Sequence, residues 1–172
     1  RSTHTRSNRE ASRGKQSGRT LEIQRLIGRS LRSIIDLKNL GERQIIIDCD
    51  VIQADGGTRT ASITGGWVAL SHAINKLLLT NKIKFNPIIN QICAISCGVW
   101  NGFSVLDLDY SEDSSAEIDS NFVLTSDKKL VEVQISSESD PFEKNTMDEL
   151  LNLAFEGAKK IFEKQLRAVN DT

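Results

Sequence analysis

Residues 47–64 read Ile-Asp-Cys-Asp-Val-Ile-Gln-Ala-Asp-Gly-Gly-Thr-Arg-Thr-Ala-Ser-Ile-Thr. An alternating apolar stretch runs into a double glycine, then Thr58-Arg59-Thr60, then a helical pattern. Strand, turn and helix in that order make the layout of an anion site. Gly56 and Gly57 can take backbone angles closed to other residues. Thr60 or Ser62 is expected to open the helix, whose free N–H groups and dipole favour a phosphate. Arg59 adds a forked cation. The same layout also serves an ordinary strand–turn–helix connection, since glycine turns before helices are common.

Working outward, residues 44–52 predict a strand with Ile45, Ile47, Cys49 and Val51 on one side. Upstream, a helix begins at Leu21 and places Ile23, Leu26, Ile27, Leu31, Ile34 and Ile35 on one face. Asn39 to Gly41 end it. Arg25, Arg29 and Arg32 fall on the opposite face, which reads as a solvated surface. Residues 1–18 are polar and basic and read as an arm or long loop. Downstream, a helix over 60–80 carries the stripe Ile63, Trp67, Leu70, Ile74, Leu77 and Leu78. Its small residues Gly65, Gly66, Ala69 and Ala73 let another backbone come close. Residues 88–100 and 103–110 predict a hairpin around Asn101-Gly102. Two more strands, over 116–125 and 130–136, flank a turn at 126–129, and a last helix covers 144–169. Without a regular βαβ period, the class is α+β or mixed α/β.

Bulk properties set the frame. At 172 residues the chain suits one domain or two small halves sharing a core. The net charge of −1 hides an uneven distribution, with nine Lys or Arg and only Glu10 and Glu22 as acids between Arg1 and Arg32. From Asp107 to Asp119 there are six acids and no base. A basic arm and an acidic segment suggest a polyanion gripped in one place and a metal or proton handled in another. Cys49, Cys93 and Cys97 have no zinc spacing and read as reduced thiols of a cytosolic protein. No apolar run reaches membrane-spanning length. The chain opens at Arg1 rather than Met, and is read as a fragment.

Asp107-Leu108-Asp109-Tyr110-Ser111-Glu112-Asp113-Ser114-Ser115-Ala116-Glu117-Ile118-Asp119 is the second informative stretch. Asp107 and Asp109 are expected on one strand face, and Glu117 and Asp119 likewise on the next. On one extended strand Asp113 and Asp119 would sit roughly 20 Å apart. The turn chemistry of Asp113-Ser114-Ser115 can bring both carboxylates to one end of the sheet. Such a pair binds a hard cation such as Mg²⁺, or raises one pKa so that one group acts as an acid. A solvated acidic hairpin has the same composition.

Taken together, residues 48–65 and Gly-Lys-Gln-Ser-Gly-Arg-Thr-Leu-Glu-Ile-Gln-Arg-Leu-Ile-Gly-Arg at 14–29 closely resemble the bacterial ribonuclease PH family. So do Arg-Ser-Thr-His-Thr-Arg at 1–6, the acidic stretch 107–119 and Val-Glu-Val-Gln at 131–134. The resemblance runs in order over essentially the whole chain. It implies a ribosomal-protein-S5-like, ribonuclease PH fold with mixed sheets packed on helices, with one module at 1–82 and another at 83–172. It implies phosphorolytic trimming of tRNA precursor 3′ ends, releasing nucleoside diphosphates, with inorganic phosphate as co-substrate and Mg²⁺ required. By match, Arg19 and Gly57-Thr58-Arg59 hold the phosphate, while Asp113 and Asp119 bind metal or assist proton transfer. Arg1, Arg6 and Arg9 match arginines near subunit interfaces and the RNA entrance. Arg13 shares their basic arm and is assigned with them to the RNA backbone or an interface. The family assembles as a hexameric ring of dimers. Two features depart from it: the family's multi-strand N-terminal portion is missing, and Ile135-Ser136 stand where the family has Gly-Thr. Two other readings stay open: a non-catalytic, ring-forming subunit of the exosome type, and a truncated, inactive product.

Overall fold

A computed structural model describes residues 14, 16–138 and 140–171. Its centre is β1 (Ile92–Trp100), buried along nearly its whole length. Successive side chains of a strand point to opposite faces, so burial on both sides requires a cover on each. Ile92 and Ala94 meet Leu26, Ile63, Trp67, Leu70 and Ile74 in one apolar cluster. Cys93, Ile95, Cys97 and Val99 meet Leu150, Ala154 and Ala158 in another. The layers are therefore α1 (Gly18–Arg32) and α3 (Thr58–Leu79), then the sheet, then α5 (Lys144–Asn170).

Among the described residues four strands form the sheet, in the order β2-β1-β3-β4, with β2 spanning Phe103–Leu106, β3 Ile118–Thr125 and β4 Leu130–Ser137. All the pairings are antiparallel. The expected hairpin is present: Asn101 and Gly102 both have positive φ, 51° and 75°, as a type I′ turn demands. Helix and antiparallel strand thus combine as the α+β expectation held. On the outer face Gly157 lets α5 lie against the sheet, since a Cβ there would stand 2.5 Å from Ile95 Cδ1. Buried Gln165 ties the layers together, donating from Nε2 to the carbonyls of Thr64 and Ile92, both at 2.9 Å.

Several expectations fail in instructive ways. The predicted helix from Leu21 to the Asn39–Gly41 stop is two helices. The backbone at 34–36 leaves the helix to meet 87–89: Ile89 N–H donates to Ile34 O and Asp36 N–H to Pro87 O, both at 2.8 Å. Asp36 then caps the four-residue α2 (Leu37–Leu40), which Gly41 ends at φ +70°. Residues 44–52 are not a strand of the sheet. They keep the predicted alternation, with Ile45, Ile47 and Cys49 half-buried and Ile46 exposed, but join no ladder with another described strand. The second predicted strand of the hairpin stops at Leu106 rather than 110, because Asp107 turns at φ +60°. Asp107 and Asp109 therefore do not share a strand face. Glu117 lies just ahead of β3.

Candidate active site

Helix α3 begins at Thr58, two residues earlier than expected. Its cap is Gly57, at φ 63° and ψ 27°, with no side-chain hydrogen bond. Thr60 and Ser62 do not cap. Their hydroxyls donate backward, to Gly57 O at 2.7 Å and Thr58 O at 2.8 Å. The first turn of α3 thus keeps its N–H groups for something other than its own side chains, as an anion-binding helix start requires. Arg59 leans toward α1, its Nη1 standing 3.3 Å from Glu22 Oε1. Arg19 is exposed in the first turn of α1, three residues before Glu22, and so lies on the same side of that helix.

The acidic segment wraps over this helix start. After Asp107, the side chain of Leu108 is buried against the backbone of β1. A Cβ on Gly98 would stand 2.7 Å from Leu108 Cδ1, so a glycine is needed where the segment crosses the strand. One turn of helix follows, α4 (Tyr110–Asp113). Asp109 accepts from Glu112 N–H, and Glu112 reaches back to Asp109 N–H at 3.0 Å, a reciprocal capping box. The Glu112 amide, then the Ser111 hydroxyl, hold the Asp109 carboxyl below the usual aspartate range. Glu117 Oε1 accepts from Gly102 N–H at 3.0 Å and pins the hairpin turn.

Asp109, Glu112 and Glu117 are therefore occupied in building the segment, and it is not simply a solvated hairpin. Asp113 is exposed at the end of α4, and Asp119 is half-buried on β3, opposite Gly98. Burial, then the charge of Asp113, pushes the Asp119 carboxyl above its ordinary value, while Arg59 pulls it down. Glu138 adds a further upward push. The structure thus brings Asp113, Asp119 and Arg59 into one electrostatic neighbourhood, from elements far apart in sequence. Ser136 pairs with Asp119 across the β3–β4 ladder. Ile135 packs into the α5-side core.

Among the described residues no group of three or more His, Cys, Asp or Glu could hold a metal ion. A pair of carboxylates still fits Mg²⁺, which usually takes one or two carboxylates and completes its shell with water and substrate phosphates. The mutual repulsion between Asp113 and Asp119 is what a cation would relieve. Burial pushes the Cys93 and Cys97 thiols up to about 12, so neither is a nucleophile near neutral pH. Arg1, Arg6, Arg9 and Arg13 lie outside the described residues.

Three contributors were not singled out from sequence: Glu22, which holds Arg59; Glu138, which faces Asp119; and Asp55, which accepts from Tyr110 N–H at 2.9 Å. Only Glu22 had a usable signal, its place one turn after Arg19.

Comparisons with known proteins bear on this arrangement. The pattern of the 3′ exoribonuclease family, domain 1, matches residues 2–74, and that of domain 2 matches residues 90–157. Ribonuclease PH from two strains of Caulobacter vibrioides is 58% identical over 169 residues, covering 98% of this chain and 71% of the relative. Among solved structures, rice (Oryza sativa) Rrp46 superposes with a TM-score of 0.65 at 15% identity, over 92% of this chain and 69% of that one. The Archaeoglobus fulgidus exosome with RNA bound to the active site gives 0.64 at 18%, over 88% and 63%. At those identities the two structures speak for the fold alone.

Proposed function

The chain belongs to the 3′ exoribonuclease family and is a phosphorolytic exoribonuclease of the ribonuclease PH type, and on that premise we propose how its residues divide the work. Inorganic phosphate sits at the start of α3, held by the Thr58 and Arg59 backbone, the Arg59 guanidinium and Arg19. Across from it, Asp113 and Asp119 would hold Mg²⁺. The RNA 3′ end lies between. The single observation that supports this reading is the convergence of Arg59, Asp113 and Asp119 on one place.

The chemistry sets what these groups must do. An oxygen of inorganic phosphate attacks the phosphorus of the terminal phosphodiester and forms a P–O–P bond. The P–O bond to the 3′ oxygen of the penultimate nucleotide breaks, and that oxygen ends as a hydroxyl after taking a proton. The products are a nucleoside diphosphate and RNA one nucleotide shorter. Nucleophile and target are both anions, so the helix start and two arginines must neutralise one and fix its line of approach. Arg59 presents five N–H donors, and the Glu22 contact engages one nitrogen, leaving the rest of the fork for phosphate. Mg²⁺ held there would supply charge stabilisation at the leaving oxygen. Where Asp119 is not holding metal, its raised proton affinity suits it instead to assist proton transfer to the leaving oxygen; a cation on it lowers that affinity, so the two roles are alternatives.

The substrates in this reading are tRNA precursors and other RNA 3′ ends, in the cytoplasm. The assembly is a ring of dimers, with Arg1, Arg6, Arg9 and Arg13 at its interfaces or RNA entrance. The deciding experiment incubates the protein with a tRNA bearing extra 3′ nucleotides, with and without phosphate. Shortening that depends on phosphate and yields nucleoside diphosphates is expected. Monophosphates released without phosphate would reject the mechanism.

A further inference from the structure

We propose that Asp55 is a positioning residue that clamps helix α4 to the start of α3, an assignment that rests on the phosphorolytic reading above. Its Oδ1 accepts from the N–H of Tyr110 at 2.9 Å, across a sequence separation of 55 residues. Asp55 lies two residues before the α3 cap Gly57, and Tyr110 is the first residue of α4, whose last is Asp113. One hydrogen bond therefore joins the proposed phosphate side of the site to the proposed carboxylate side.

Helix α4 needs such help. A single turn cannot hold itself, because helix nucleation is unfavourable. The capping box satisfies the N–H groups of Asp109 and Glu112, and Asp113 N–H donates to Asp109 O at 2.8 Å. The box does not reach Tyr110 N–H, and Asp55 supplies its acceptor from the other loop. The contact is close because the neighbouring residue has no side chain: a Cβ on Gly56 would stand 2.2 Å from Leu108 O and 3.2 Å from the Asp109 carbonyl carbon. Backbone thus touches backbone, and the Asp55 carboxylate crosses the seam.

Both residues are exposed, Tyr110 by 65%. A solvated hydrogen bond adds little to global stability. Its effect is geometric, since it sets how far Asp113 stands from Thr58 and Arg59.

The test compares Asp55→Ala and Asp55→Asn with the wild type, well below their melting temperatures. It follows phosphorolysis of a 3′-extended tRNA and hydrogen exchange at the Tyr110 amide. Asp55→Ala should lower kcat by about tenfold to a hundredfold, leave the KM for RNA within about threefold, and speed Tyr110 exchange. Asp55→Asn retains a carbonyl Oδ1 acceptor and should keep kcat within about twofold. If Asp55→Ala does not fold, Asp55→Glu keeps the charge, displaces the acceptor by one methylene, and should show the same losses. A lower melting temperature with unchanged kcat would mean a merely structural role and would overturn the assignment. So would unchanged Tyr110 exchange, or an Asp55→Asn variant as impaired as Asp55→Ala. If the wild type releases no nucleoside diphosphate, the phosphorolytic reading fails by itself, and Tyr110 exchange still decides whether the clamp exists.

Discussion

Replacing Gly56 by alanine adds one methyl group where two loops meet backbone to backbone. The new Cβ would lie 2.2 Å from Leu108 O, and ordinary van der Waals contact begins at 3.4 Å, so the loops must part by about 1.2 Å. Leu108 cannot yield, because its side chain is 2% exposed and seated over Gly98. The movement must therefore go into the start of α3, one residue beyond Gly57, or into α4. Either way Thr58 and Arg59 shift relative to Asp113 and Asp119. A displacement near 1 Å in a reacting arrangement costs on the order of a hundredfold in rate. Overpacking of this kind costs about 1–3 kcal/mol of stability. In a chain of this size that lowers Tm by roughly 2–4 °C per kcal/mol. The variant should thus remain folded at 25 °C while kcat/KM for phosphorolysis falls about a hundredfold. Steady-state release of nucleoside diphosphate, with a thermal melt on the same sample, measures both. A Gly56→Ala enzyme that works within about threefold of wild type would refute the claim that this seam sets the site's geometry.

Asp119→Asn should abolish turnover yet raise Tm at pH 7 in metal-free buffer. The folded state binds the Asp119 proton more tightly than the unfolded chain does, so ionisation is destabilising: stability is highest below the ordinary aspartate pKa and falls as pH rises through it to the elevated folded value. The Tm gap between variant and wild type should close near pH 3, and a variant no more stable than wild type at pH 7 would contradict the burial and repulsion assigned to this group. Gln165→Leu removes the Nε2 donor from the Thr64 and Ile92 carbonyls and should cost about 2–4 kcal/mol in urea denaturation, with site chemistry intact at low temperature; a loss under about 0.5 kcal/mol would mean that water replaces the donor.

How much of this was legible in the sequence depends on whether a feature is local. The Asn101-Gly102 turn was readable because type I′ geometry is a property of two residues. The stripe of α3 was readable because Ile63, Trp67, Leu70 and Ile74 recur at helical spacing and are all buried. The alternation of 44–52 was also real, yet it reports only that an extended chain buries one side. Ile45 and Ile47 pack on the α1–α3 core while Ile46 is 82% exposed. A ladder needs a second strand, and no period in residues 44–52 encodes its partner. The same limit hid the break after Arg32, since Ile34 and Ile35 continue the apolar face of α1 although their backbone has already turned to meet 87–89.

The acidic segment carries the point into the site. Its composition offers six acids between Asp107 and Asp119, and composition cannot rank them. Their hydrogen bonds can. Asp109 and Glu112 occupy each other's backbone amides, and Glu117 occupies that of Gly102. A carboxylate already satisfied by N–H donors is stabilised as an anion and is poorly placed to take a metal or a proton. Asp119 is the opposite case, half-buried beside a second carboxylate, with its charge opposed rather than solvated. A cation or a proton stabilises Asp119 more than it would stabilise Asp109, and by neutralising this pair it would also reduce the repulsion an anionic substrate meets there. The capping pair Asp109 and Glu112 holds α4 in place, and that placement is what sets Asp113 beside Asp119.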